Sequence, residues 1–339
     1  MTYQEIHDLA NGQVGPYCKN CPVCNGRACG NAMPGPGSKV PGNVAARNYE
    51  KWQEICVNMD TLCPNVEPDI GFDFAGRHFS APIFAAPIGA LPMHYGPKYK
   101  DQAYNEILIK AAADYGVAAL TGDGVDPEIM IAAVREMAKA GGVGIPTIKP
   151  WNKEAVFAKL DWVSANNIFA VAMDVDGAGL PFLKAMNPNA GSKSVEEMRE
   201  LIDYADRPFI IKGIMTPAGA LKAAEAGAAA IVVSNHGGRV QGGTPATAEV
   251  LPAIADAVKG KLTIFVDGGI RSGVDVFRAV ALGADAVLIG RPILNMIYGG
   301  GAKGFKVYLD KITGELKSTM TMCGAATLKD IDRSKVFGF

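Results

Sequence analysis

The chain has 339 residues, with 33 Lys and Arg against 34 Asp and Glu and a net charge of −1. That balance gives no electrostatic pull toward nucleic acid or an anionic membrane. No apolar run reaches the roughly 20 residues that cross a bilayer, and the start, MTYQEIHDLANGQ, lacks the basic flank and apolar core of a secretory signal. A cytoplasmic location is the expectation.

Residues 1–75 come first and show no regular rhythm of strands and helices. They hold six of the seven cysteines, four of them, Cys18, Cys21, Cys24 and Cys29, clustered in PYCKNCPVCNGRACG. In a reducing compartment such a cluster suggests metal more than disulfides. Iron–sulfur ligation uses closely similar spacing, structural zinc can also take four thiolates, and plain structural thiols are the third reading. The segment MPGPGSKVPG follows, then one helical stretch, VAARNYEKWQEI. We read 1–75 as a folded N-terminal extension covering one end of a domain at 76–339.

From about residue 80, short apolar runs alternate with helical patterns. The runs are IFAAPIG (83–89), VAAL (117–120), GIPTIK (144–149), FAVAMDV (169–175), FIIKG (209–213), AAIVVSN (229–235), TIFVDGG (263–269) and AVLIGR (286–291). They look like strands buried on both faces. The connections, such as TPAGALKAAEAG and SGVDVFRAVALG, carry helical periodicity and several end in Gly, the favoured residue past a helix C-terminus. Eight such units predict an α/β fold, a (β/α)₈ TIM barrel with a cysteine-containing extension. A doubly wound open sheet is the alternative. The barrel is preferred because Lys149, Asp174, Asp176, Lys212, Asn235, His236, Asp267 and Arg291 stand at the ends of successive runs, and a barrel gathers those ends on one face. GFKVYLDKITGELKSTMTMCG then predicts a long closing helix.

Three segments carry chemistry. In IVVSNHGGRVQGG (231–243) a strand runs into His236, two glycines and Arg239. The glycines permit close backbone approach and positive φ. The His and Arg put a proton acceptor beside a bidentate anion fork, which suits a carboxylate substrate that loses a proton. In FVDGGIRSG (265–273) and LIGRP (288–292), Gly268, Gly269, Arg271 and Arg291 form a phosphate site after strands seven and eight. In IKGI (211–214), Lys212 points into the barrel mouth, where an isolated lysine is costly unless it meets an anion. A Schiff-base lysine is the rival role. His7, His78 and His94 lack such a setting and are read as structural.

These segments resemble the FMN-dependent α-hydroxy-acid oxidases and dehydrogenases, a family that includes glycolate oxidase and lactate oxidase. The likeness is close from IKGIMTPAGALKAAEAGAAAIVVSNHGGR through FVDGGIRSGVDVFRAVALGADAVLIGRP to ELKSTMTMCGAATLKDI, and looser back to about residue 44. It implies FMN as cofactor and oxidation of a small 2-hydroxy acid to the 2-oxo acid. His236 matches the family's base, Arg239 its carboxylate-binding arginine, and Lys212 the lysine at flavin N1 and O2. Asp176 matches the aspartate that supports the charged histidine. Asp267, Gly268, Gly269, Arg271, Gly290 and Arg291 match phosphate and ribityl contacts. Ala86, Pro87, Thr121 and Ser234 match positions around the flavin.

Where the third strand of the family ends in Gln-x-Tyr, this chain reads Lys149-Pro150-Trp151. Lys149 adds a second cation near the flavin, and Trp151 is expected to keep an aromatic wall on the substrate without the hydroxyl. Asp174 stands where the family often has threonine. The family's N-terminal carboxylate-binding tyrosine has no clear match, Tyr17 being the candidate. Partners implied are O₂ or an electron-accepting protein, and the family suggests a homo-oligomer; neither nucleic acid nor membrane is expected. A non-redox FMN barrel similar to type 2 isopentenyl-diphosphate isomerase is a second reading, and a metal-dependent redox-sensing or binding barrel a third.

Overall fold

The eight apolar runs pair as parallel strands because Val, Ile and small apolar side chains suit a sheet covered on both faces. The computed structural model describes every residue except Pro34, Pro181, Phe182, Pro188 and Phe339, and all of Lys184 but its side chain; Pro34, in the MPGPGSKVPG run, and Phe339, at the end of the expected barrel, thus lie outside the described residues. The barrel strands are β1 (Ile83–Ala85), β2 (Leu120–Thr121), β3 (Ile145–Ile148), β4 (Val171–Asp174), β5 (Phe209–Ile214), β6 (Ala230–Val233), β7 (Thr263–Val266) and β8 (Ala286–Ile289). All their residues are buried except Gly213 and Thr263, which are partly so. Each strand pairs with its sequence neighbours, and β8 pairs with β1 in the register Val287↔Ile83. The last gap closes where the Ala85 N–H donates to the Ala118 carbonyl at 3.1 Å, in a parallel bridge between Ala85 and Ala119. The closed (β/α)₈ barrel expected from the sequence is the observed fold.

The helices are α1 (Tyr3–Leu9), α2 (Val44–Gln53), α3 (Leu91–Tyr95), α4 (Asp101–Tyr115), α5 (Pro127–Lys139), α6 (Lys153–Ala165), α7 (Val195–Ala205), α8 (Pro217–Glu225), α9 (Thr247–Val258), α10 (Gly273–Ala281) and α11 (Arg291–Met322). From α4 on they alternate with the strands. Local chemistry sets their starts: Ser194 with Glu197 and Ser272 with Asp275 form capping boxes on α7 and α10.

Two elements differ from the sequence reading. Helix α1 was not expected, although Thr2 and Glu5 form a capping box at its start. The closing helix begins at Arg291 rather than near residue 304, and it breaks at Gly301 (φ 58°, ψ −140°). Just before the break α1 approaches closely: a Cβ on Gly299 would lie 2.0 Å from the Ile6 carbonyl oxygen. The extension is therefore pinned to the last helix.

An antiparallel hairpin, Phe72–Phe74 with Arg77–Phe79, leads into β1. Its rings pack edge-on against Phe84 of β1 and Phe265 of β7, with centroids 4.7–6.0 Å apart. This fills the end of the barrel where the strands begin and leaves the opposite mouth for chemistry. Among the described residues, no helix is long and apolar enough to cross a membrane.

Candidate active site

A cavity of about 540 Å³ opens at the C-terminal mouth of the barrel. Lys149 follows β3, Lys212 lies within β5, and His236 and Arg239 follow β6. Asp267 to Arg271 follow β7, and Gly290 and Arg291 follow β8. All of these charged side chains line the cavity. The apolar share of the wall comes from Ala86, Pro87 and Ile88 after β1, and from Leu180, Leu183 and Met186 after β4.

The loop after β6 is wound tightly. His236 has φ +58°, a left-handed conformation that few non-glycine residues adopt. Its N–H donates to the Ser234 hydroxyl at 3.1 Å, which helps to hold the turn. Gly238 follows with φ +84°, and a Cβ there would sit 2.8 Å from the Ser38 hydroxyl and 2.9 Å from Val44 Cβ. Extension and loop thus interlock at that glycine. The turn aims the His236 ring at two carboxylates: Nδ1 is 3.1 Å from Asp176 Oδ1, and Nε2 is 3.9 Å from Asp174 Oδ2. Burial, with Lys212 and Lys149 nearby, pushes the His236 pKa well below its usual range, although Asp174 opposes this. Burial also pushes the Asp176 carboxyl up, against the pull of Lys212 and Lys149. The imidazole is therefore unprotonated and ready to accept a proton at neutral pH.

Lys212 is buried, with Nζ 3.3 Å from Asp267 Oδ2 and donating to the Ser234 hydroxyl at 2.9 Å. Burial works against its charge, but Asp267, Asp176 and Asp174 outweigh it and raise its pKa. It remains a fixed cation. Lys149 pairs with Asp174, so the extra cation expected near the flavin comes with its own counter-ion. Asp174, Asp176 and His236 present three donor atoms within 4.8 Å of one another. The two lysines already supply positive charge to that group.

The far end of the cavity suits an anion. Gly290 caps the start of α11, where backbone N–H groups and the helix dipole favour a phosphate. Arg271 and Arg291 stand beside it on the cavity wall. Among the described residues, Asp267 Oδ1 and Arg271 Nη2 are buried without a hydrogen-bond partner. Buried polar atoms are nearly always paired, so an acceptor for the guanidinium and a donor for the carboxylate are missing. The phosphate and the ribityl hydroxyls of FMN offer those two groups, and the cavity volume lies in the range of cofactor sites. The residues fit the cofactor expected from the sequence.

Four expected contacts are placed differently. Trp151 does not form a wall of the cavity: its ring is fully buried, and Nε1–H donates to Asp123 Oδ2 at 2.7 Å. Thr121 and Ser234 are fully buried and lie behind the lining. Tyr17 lies under Gly35 and away from the cavity. Asp176, by contrast, backs the His236 ring at 3.1 Å as expected and adds negative charge beside Lys212.

Three polar lining residues were missed. His94 and Tyr95 come from the short helix α3 after β1, and Asp123 from the loop after β2. His94 Nε2 is 3.4 Å from Arg239 Nη2, so a histidine read as structural faces the anion fork. The Tyr95 hydroxyl is buried close enough to Arg291 and Arg239 to sense both charges. The available signal was position: polar residues closely following strands one and two belong to the same barrel face as those after strands three to eight.

Asp123 knots this side of the site. It accepts from Lys159 Nζ at 2.7 Å, from Trp151 Nε1 at 2.7 Å and from the Lys149 backbone N–H at 3.0 Å. Its side chain is fully buried and that of Lys159 nearly so. Removing one partner of such a pair leaves an uncompensated buried charge, at a cost of about 3–5 kcal/mol. Lys159→Met is expected to lower unfolding stability by that amount in a urea titration, with part regained in the Lys159→Met, Asp123→Asn double variant. A loss under about 1 kcal/mol, the surface-pair scale, would contradict this.

Comparison with known proteins follows the same geometry. The sequence profile of the family described as FMN-dependent dehydrogenase matches residues 94–337. An L-lactate oxidase of Roseobacter sp. (strain GAI101) is 44% identical over 146 residues, 43% of this chain and 40% of that protein. An L-lactate dehydrogenase of Acinetobacter baylyi is 46% identical over 148 residues, 44% of this chain and 38% of the other. The peroxisomal (S)-2-hydroxyacid oxidase GLO3 of Arabidopsis thaliana is 42% identical over 153 residues, 45% of this chain and 41% of the other. The chain thus spans about two fifths of the length of the curated relatives it matches. Among solved structures, a protein described as a lactate oxidase from Pediococcus acidilactici superposes with a TM-score of 0.79 at 25% identity, covering 100% of this chain and 95% of that one. A mandelate oxidase variant superposes with a TM-score of 0.75 at 25% identity, covering 88% and 90%.

Proposed function

The chain belongs to the FMN-dependent dehydrogenase family, and on that premise we propose that it oxidises a small 2-hydroxy acid to the 2-oxo acid, with FMN held at the barrel mouth. The observation that carries this reading is the loop after β6. It sets an unprotonated His236, backed by Asp176 at 3.1 Å, three residues from Arg239 on the wall of one cavity.

Arg239 clamps the substrate carboxylate, with His94 and Tyr95 alongside. His236 takes the proton from the hydroxyl-bearing centre. Asp176 orients the ring through Nδ1 and balances the charge that the proton brings. FMN supplies the two-electron acceptor when bound. Ala86 and Pro87 would hold its ring system, and Lys212 would supply positive charge to the ring's electron-rich edge. Asp267 would hold the ribityl hydroxyls, and Gly268, Gly269, Arg271, Gly290 and Arg291 the phosphate. The electrons leave to O₂ or to an electron-accepting protein, and the enzyme works as a homo-oligomer. We assign residues 1–75 to an extension and 76–339 to the FMN-binding barrel, the boundary falling at the turn of the Phe72–Phe79 hairpin.

The His236–Arg239 pairing weighs against a non-redox isomerase, which has no use for a base beside a carboxylate fork. A rate assay on FMN-loaded protein tests the reading. A panel of 2-hydroxy acids of increasing side-chain size is offered with an artificial electron-accepting dye. Dye reduction by at least one member, and none by the matching 2-deoxy acids, is expected. Protein that holds FMN yet reduces dye with no hydroxy acid would reject the activity. Protein that holds no flavin after reconstitution would reject the cofactor.

A further inference from the structure

The four clustered cysteines are not used by the chemistry above, yet they lie against it. Among the described residues, the stretch between α1 and α2 has neither helix nor strand, and it is fastened to the barrel mouth at several points. Asn295 on α11 donates to Asn20 Oδ1 at 2.9 Å, and the Cys18 thiol reaches Asn295 Oδ1 at 3.7 Å. Arg271 Nε–H donates to the Cys24 carbonyl at 2.7 Å. Arg291 Nη1 lies 3.9 Å from Cys29 Sγ. Gly26 lets this segment press on α2, since a Cβ there would sit 2.6 Å from the Ala45 carbonyl carbon. No disulfide joins the four.

The four thiols are free of disulfides and can deprotonate onto a multiply charged cation. Zinc, with bonds of about 2.3 Å, would draw its sulfurs to about 3.8 Å apart. Among the described residues, no three cysteine sulfurs come within 4.8 Å of one another. A larger, multi-iron core does not require so close a spacing. Four thiolates leave such a core with net negative charge, and hydrogen bonds and cations near the sulfurs are what stabilise it. Arg271 and Arg291 are two cations on the segment's inner side.

We propose that Cys18, Cys21, Cys24 and Cys29 ligate an iron–sulfur cluster of the [4Fe–4S] type at the barrel mouth, with Arg271 and Arg291 shared between the cluster and the anion end of the cavity. The spacing of two, two and four residues between the cysteines is close to that of bacterial ferredoxin runs. The cluster site stands on the cysteines and arginines alone. Only its position beside the flavin rests on the function proposed above.

The test is metal and sulfide analysis of the full chain, purified without oxygen, with flavin measured on the same sample. About four iron and four acid-labile sulfide per chain are expected. Cys24→Ser and Cys21→Ser are each expected to lose most of both, while Cys56→Ser, at an exposed position outside the four-cysteine run, keeps them. Circular dichroism identifies a variant that fails to fold, and the wild-type stoichiometry decides the matter in that case. One zinc per chain without sulfide, or no metal with four titratable thiols, overturns the proposal. Because flavin is read separately, loss of the cluster reading and loss of the FMN reading are distinct results.

Discussion

Replacing His236 with asparagine is expected to lower kcat/KM by about 10²–10⁴, the range for loss of a positioned general base, while FMN stays bound. Asparagine is the informative substitute because it tolerates the left-handed backbone that His236 adopts at φ +58°. The loss then reports the missing imidazole and not a collapsed turn. The wild-type pH profile follows from the same site. The base works only when unprotonated, so activity falls as pH drops through the His236 pKa. Burial, Lys212 and Lys149 place that pKa well below the usual 6.5. The acid limb of kcat/KM is therefore displaced below the ordinary histidine range, and the rate is flat through neutral pH. A limb centred near 6.5 or above, or an asparagine variant of undiminished activity, would remove His236 from the base role.

Arg239→Met carries the second large effect. A carboxylate held by a buried arginine loses about 2–5 kcal/mol when the arginine is truncated, or roughly 30- to 5,000-fold in kcat/KM at 1.4 kcal/mol per tenfold. Arg239→Lys keeps the charge but not the planar fork, so it is expected to recover only part. The loss appears in KM and in the affinity for the 2-oxo acid product, because the clamp acts on bound substrate throughout. Equal activity of the lysine variant and wild type would show that charge alone suffices. An unchanged KM in the methionine variant would move the carboxylate elsewhere in the cavity.

Much of this was legible in the sequence because parallel barrel strands are buried on both faces and so appear as uninterrupted apolar runs. The C-terminal end of each run then points to one face, which located Lys212, His236, Arg239, Asp267 and Arg291 before any coordinates. What escaped were features that depend on distant partners. Trp151 turns away from the cavity because Asp123, 28 positions earlier, binds its indole N–H. His94 faces the site because Arg239, 145 positions later, lies 3.4 Å from it. No local pattern encodes either pairing. Helix α1 did carry a local signal, the Thr2–Glu5 capping box, but at seven residues it is too short for periodicity to reveal.

The central claim is that this cavity removes two electrons from a 2-hydroxy acid. Single-turnover mixing of FMN-loaded protein with its best hydroxy acid, in the absence of oxygen, tests it most directly. The account predicts complete loss of the oxidised-flavin absorbance, one 2-oxo acid formed per flavin, and a rate reduced by about 10²–10⁴ in His236→Asn. Full flavin occupancy with persistent absorbance and no 2-oxo acid across the whole panel would contradict it.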